Sequence, residues 1–235
     1  NIHMLKKGMK SCSLLNYYEP EETYVTIELD ESLTPQENAQ RYFKKYSKAK
    51  SAHAYASEQL KIAKRELEYL ENVLFNLEEA NSPEEVEEIR EELQNQGYLR
   101  KTDRKKRPVQ KSSPLCFISS EGYRIWVGRN NAQNDELSLK FAKPDDLWLH
   151  VKDMPGSHVI ARVPEPVPDK TLLEAASLAA WFSKARNSSK VQVDYTRARY
   201  VRKPSGAKPG MVVYVNYRTV IVDPVDPAML LPEKS

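Results

Sequence analysis

Between Tyr42 and Leu77 the apolar positions fall at alternating steps of four and three: Tyr42, Tyr46, Ala49, His53, Ala56, Leu60, Ala63, Leu67, Leu70, Leu74 and Leu77. This is the a/d spacing of a heptad repeat, sustained along the whole segment. Neither Gly nor Pro interrupts residues 36–80. The spacing therefore predicts one helix of about 65 Å at 1.5 Å per residue. Thr34-Pro35 supplies a cap and a first turn. At "NSPEE" the pattern breaks, with Ser82 as N-cap, Pro83 at the first helical position and two glutamates on the positive end of the dipole. Val86, Ile89 and Leu93 then predict a short amphipathic helix ending near Gly97. The expected arrangement is a projecting helical hairpin in which the second helix covers the leucine-rich end of the seam. His53 sits on that seam and reads as a packing or register residue, not a ligand.

Upstream, "YVTIELD" alternates apolar and polar residues as a short strand with too few partners to form a sheet. Residues 1–33 thus read as the tail end of a truncated N-terminal domain, followed by a coiled-coil middle domain over 34–98. From Pro114 the period shifts toward two. "LCFIS" and "YRIWVG" flank a "SEG" turn as a hairpin, and a polar helix is expected around 131–141. Strands follow at "LWLHV" and "HVIARV". A helix over 169–185 turns Leu172, Leu173, Ala176, Ala179, Ala180 and Trp181 toward the sheet, and "VQVDYT", "RYVRK", "MVVYV" and "RTVIV" close the domain. The predicted class is α+β: a long helical coiled-coil hairpin, then a compact mixed domain over 114–228 with a mainly antiparallel sheet, and a C-terminal tail over 229–235.

Composition changes this picture through charge. The net charge of +3 conceals 12 Lys/Arg against 19 Asp/Glu in residues 1–99 and 24 against 14 in residues 100–235. A half that basic suggests a polyanionic partner, usually nucleic acid, against the plainer reading of a solvated basic surface. The linker over 99–113 holds most of its charge in "RKTDRKKRPVQKSS" and can both connect two packed units and lie along phosphates. Cys12 and Cys116 match no metal or redox spacing, and a reducing cytoplasm fits best. No apolar run approaches a membrane span, and the start holds no hydrophobic stretch of the export type.

Phosphate-loop, dinucleotide, nucleophile-elbow and zincin motifs are all absent. Catalytic-type residues cluster only in "DDLWLHVKDMPGSH", as Asp145, Asp146, His150, Asp153 and His158. If the flanking strands pair, His150 and His158 face each other near a Pro-Gly turn. A divalent metal site and a proton-transfer pair are then the lesser readings. The preferred one uses Ser157, exposed turn N–H groups, the histidines and Lys152 as phosphate or base contacts. Supporting segments are "GRNNAQND", which clusters Arg129 with Asn130, Asn131, Gln133 and Asn134, whose planar amides could read base edges or sugars, and "SKARNSSK", with Lys184, Arg186 and Lys190. "TRARYVRKPSGAKPG" adds Arg197, Arg199, Arg202, Lys203 and Lys208 interleaved with Tyr200, with Arg197 and Arg199 expected on one face beside Tyr195 and Val201. No catalytic residue, metal or cofactor is expected, and the chain is read as a binder, not an enzyme.

"EGYRIWVGRNNAQND", "DDLWLHVKDMPGSHVIAR" and "YTRARYVRKPSGAKPGMVVYVNYRTVIV" resemble the C-terminal RNA-binding domain of the NFACT ribosome-quality-control factors, whose bacterial members are often called fibronectin- or fibrinogen-binding proteins. "LDESLTPQENAQRYFKKYSKAKSA" is similar to that family's entry into its coiled-coil middle domain. The resemblance implies a middle domain plus RNA-binding domain lacking the family's N-terminal domain. Its partners would be the RNA of obstructed large ribosomal subunits and tRNA. The full-length protein would recruit alanyl-tRNA for untemplated alanine tailing of stalled chains. Asp103-Arg104 in the linker is a coincidental match to the family's tRNA-associated pair. Binding to host fibronectin or fibrinogen at the cell surface is the alternative reading; the primary location expected is the cytoplasm.

Overall fold

The computed structural model describes residues 2–20, 23–100, 112–229 and 231–232, so the core of the basic linker, 101–111, lies outside the described residues. The chain forms two compact units, 1–64 and 65–235, and the division falls inside the long helix rather than at a loop. In the first unit, β1 (Ser11–Leu15) pairs antiparallel with β2 (Tyr24–Glu28), joining Leu14 to Val25 and Cys12 to Ile27. The strand expected at "YVTIELD" thus has a partner that the sequence reading missed.

Helix α1 (Pro35–Glu79) starts on a capping box: Glu37 N–H donates to Thr34 Oγ1 at 3.3 Å, and Thr34 N–H donates back to Glu37 Oε2 at 2.7 Å. Helix α2 (Pro83–Asn95) starts as its sequence predicts, with Ser82 Oγ accepting from Glu85 N–H. Packing of α2 on the second-unit part of α1 corrects the expected seam. Tyr69 and Val73 are buried against Ile89 and Leu93, while Leu67, Leu74 and Leu77 are 59%, 55% and 45% exposed. The buried face is the one that carries polar reach: Tyr69 hydroxyl donates to Glu92 at 2.8 Å, and Asn76 is buried beside it. A leucine stripe offers only area, whereas this face offers area and satisfied hydrogen bonds. His53 is exposed rather than packed.

The rest of the second unit is built on β3 (Leu115–Ile118), β4 (Arg124–Val127), α3 (Asn131–Glu136), a π-turn over Leu137–Phe141, β5 (Leu147–Val151), β6 (Val159–Ala161), α4 (Asp169–Trp181), β7 (Val191–Arg197), β8 (Val201–Arg202), β9 (Val213–Tyr214), β10 (Arg218–Val222) and β11 (Leu231–Pro232). Among the described residues, seven strands form one sheet in the order β10-β7-β5-β6-β4-β3-β11, every neighbouring pair antiparallel, while β8 and β9 form a separate ribbon.

Period-two alternation sets the two faces. Ile125, Val127, Leu147, Leu149, Val151, Val159, Ala161 and Val193 pack under α4. Trp126, Trp148 and Ile160 point the other way, against Leu137, Val201, Val212 and Tyr214. Central β5 is covered on both faces, which explains why "LWLHV" hardly alternates in polarity. On α4 the inward residues include Ala175 and Leu178, and Leu173 is 47% exposed, correcting the sequence assignment. Among the described residues, no helix is long and apolar enough to cross a membrane.

Candidate nucleic-acid interface

The turn between β5 and β6 forms as its sequence suggests. Leu149 pairs with Val159, and the His150 and His158 rings lie 5.3 Å apart, edge to face. Their surroundings remove them from the role expected of them. His158 is 3% exposed; its Nδ1 lies 2.7 Å from Ser138 Oγ, which also accepts the Trp148 indole N–H at 2.9 Å. Ser138 Oγ thus bridges the Trp148 indole and the His158 imidazole. Burial lowers the pKa of His150 and lowers that of His158 further, His150 adding to the latter effect. Among the described residues, no group of three His, Cys, Asp or Glu side chains is arranged to hold a metal.

Ser157 is also buried, and its N–H donates to Phe182 O, while Gly156 N–H donates to Asn72 Oδ1 on α1. These two turn amides are therefore already spent and do not face phosphate. Gly156 is required here: a Cβ would sit 2.9 Å from both Ser183 Cβ and Val151 Cγ1. Asp146 is likewise occupied, receiving Arg162 through Nε and Nη2, and Asp145 receives Arg199.

"GRNNAQND" forms a clasp, not a reading edge. Arg129 pairs with Glu85, Asn130 Nδ2 donates to Glu88, and Asn131 Nδ2 donates to Glu92, all three glutamates on α2. Asn130 also caps α3 by accepting Gln133 N–H, and Asn134 Oδ1 accepts the backbone N–H of His158. Asn130 and Asn134 are each 2% exposed. Residues placed at a strand-to-helix junction with planar amides look alike for base reading and for capping. Here the acidic face of α2 decides for the second.

Several cations assigned to RNA are likewise engaged within the fold. Arg186 pairs with Glu79 and lies over Trp181, Lys203 pairs with Asp135, and Lys208 bonds Tyr98 and faces Glu66. Arg197 pairs with Glu165, and a 3₁₀ turn at Ala198–Tyr200 ends the strand alternation that was to align Arg197 with Arg199.

Beside exposed Lys140, Lys143 and Lys170 elsewhere on the surface, two groups of cations remain open to a polyanion. Lys152, Lys184 and Lys190 lie at the end of the sheet where β5 stops and β7 starts, Lys152 N–H bonding Gln192 O and Lys184 N–H bonding Pro155 O. Arg202 lies on the β8–β9 ribbon opposite Val213, and exposed Tyr217 and Arg218 follow the ribbon. None of these five cations pairs with a described acid. Tyr217 and Arg218 escaped the sequence reading, although "NYRT" repeats the basic–aromatic interleaving of the preceding strand.

Residues 1–112 match the NFACT N-terminal and middle domains, and residues 114–216 match the NFACT protein RNA binding domain. The chain belongs to the NFACT family. Among its NFACT relatives, the Rqc2 homolog RqcH of Bacillus subtilis is 47% identical over all of this chain and 41% of the relative. The human ribosome quality control complex subunit NEMF is 36% identical over 30% of this chain and 7% of its own length. The chain thus spans about two fifths of the length of the bacterial relatives it matches. A solved structure described as the C-terminal of the fibronectin/fibrinogen-binding protein from Streptococcus suis is 44% identical, with a TM-score of 0.75 over 81% of this chain and 77% of that one.

Proposed function

We propose that this chain is the ribosome- and RNA-binding portion of a ribosome-quality-control factor. It engages obstructed large ribosomal subunits in the cytoplasm, and the longer protein recruits alanyl-tRNA for alanine tailing. The chain itself acts as a binder and catalyses nothing. The observation that carries this reading is the match of residues 114–216 to the NFACT RNA-binding domain, on a surface where Lys152, Lys184, Lys190, Arg202 and Arg218 pair with no described acid. Lysine and arginine contacts to phosphate supply most non-specific affinity, and exposed Tyr217 offers a stacking face.

Co-sedimentation of the 235-residue chain with large ribosomal subunits tests this. Binding is expected in low salt and is expected to be lost in a variant carrying Lys152→Glu, Lys184→Glu, Arg202→Glu and Arg218→Glu. Absence of binding by the unaltered chain overturns the reading. A second reading, adhesion to host fibronectin or fibrinogen, has support in the name of the Streptococcus suis neighbour. Tight fibronectin binding without any subunit binding would favour it.

A further inference from the structure

A small cavity of about 120 Å³ opens where α1 crosses the β5–β6 turn, within the second unit. Four rings, Trp148, His150, His158 and Tyr214, line it together with Asn72, Met154, Met211 and Val212. The rings also touch one another, with Trp148–Tyr214 at 4.8 Å, Trp148–His158 at 5.2 Å and Trp148–His150 at 5.9 Å between centroids. The carboxylates of Glu68, from α1, and Asp153, from the turn, stand at its rim. The surrounding charges leave that acidity uncompensated inside. Both histidines are held neutral by burial, and Lys203, the cation that acts on His158, is paired with Asp135. Arg65 opposes Glu68 from the same helix, but Asp153 and Glu71 outweigh it, since the Glu68 carboxyl is pushed up by burial and by those two acids.

An aromatic box with carboxylates at its mouth attracts cations twice over, through the ring quadrupoles and through direct charge. It repels phosphate for the same reasons, so the RNA-binding reading does not explain it. At about 30 Å³ per water-sized volume, the space suits a head of roughly four heavy atoms. We infer that this cavity is a binding site for an organic ammonium group, either a small free amine or the side chain of a lysine presented by another protein.

The test follows the indole N–H signal of Trp148 by NMR in the full 235-residue chain at pH 8, where both histidines are neutral. The probes are butylamine, Nα-acetyl-lysine-N-methylamide and, as a neutral counterpart, butanol. Saturable shifts are expected with one or both cations, none with butanol, and at least fivefold weaker binding in Glu68→Gln and in Asp153→Asn. Tighter binding by the lysine derivative than by butylamine identifies a protein side chain as the source; equal or tighter binding by butylamine identifies a free amine. Glu68 is exposed on its helix and Asp153 adopts a positive φ of 53° that asparagine accepts, so both variants keep the fold. No saturable shift with either cation, an equal shift with butanol, or full affinity in Glu68→Gln would each overturn the assignment.

Discussion

The hydroxyl of Ser138 accepts the Trp148 indole N–H and hydrogen-bonds His158 Nδ1, so one small side chain satisfies two buried neighbours. In Ser138→Ala both lose their partner at a buried position. An unsatisfied buried polar group costs about 1–3 kcal/mol, so a loss of roughly 2–4 kcal/mol is expected from urea denaturation at pH 7.5. The histidines also give stability a pH dependence. Their folded pKa values lie below the ordinary imidazole value of 6.5, so below that pH the unfolded chain binds more protons than the folded one. This contribution is complete above pH 6.5 and is lost as pH falls toward the folded values. Denaturation midpoints are expected to drop between pH 7.5 and 5, and the drop is expected to shrink in His158→Gln.

At the scale of elements, the joint between α2 and the sheet is a row of glutamates received by Arg129, Asn130 and Asn131. Glu92 belongs to this row and is 8% exposed; burial raises its pKa despite the bonds from Asn131 and Tyr69. The sign is opposite to that of the histidines: ionised Glu92 weakens the fold above its folded pKa, and the penalty vanishes as pH falls toward 4.5. In Glu92→Gln the amide oxygen would still accept from Asn131 and Tyr69, with no charge to bury. The substitution is therefore expected to raise the melting temperature at pH 7.5 and to have little effect near pH 4.5, measured by thermal melts at both values. This joint also shows what the sequence could reveal. Caps at Thr34 and Ser82, the Pro-Gly turn and the strand faces are local, and their residues announce them. The face of α1 that packs is not local. Heptad spacing pointed to Leu67, Leu70, Leu74 and Leu77, yet the choice fell to Tyr69 because Glu92, 23 positions away, and Asn131, 39 positions beyond that, complete its hydrogen bonds. The same blindness turned Asn130 and Asn134 into base readers, since no spacing reveals that α2 brings acids to meet the first of them.

For the whole molecule, the formal charge of the basic half overstates what faces a partner. Arg129, Arg186, Arg197, Arg199, Lys203 and Lys208 all have partners within the fold. If phosphate contacts come from half-buried Lys152 and the exposed cations Lys184, Lys190, Arg202 and Arg218, each contact adds roughly 0.7–0.9 to the slope of log K against log salt. Binding of RNA to this chain is then expected to show a slope near 4, and affinity is expected to fall roughly 10²-fold between 50 and 200 mM salt. Replacing Lys152 or Arg202 with Ala is expected to lower the slope by about one each without moving the denaturation midpoint. Arg129→Ala separates the two roles in the other direction. It leaves Glu85, 3% exposed, without its partner and costs about 3 kcal/mol or more of stability. The slope measured on the fraction that stays folded is expected to remain unchanged. A slope that falls with Arg129→Ala and holds with Lys152→Ala, followed by fluorescence anisotropy across a salt series, would return the phosphate contacts to the clasp and away from the sheet end.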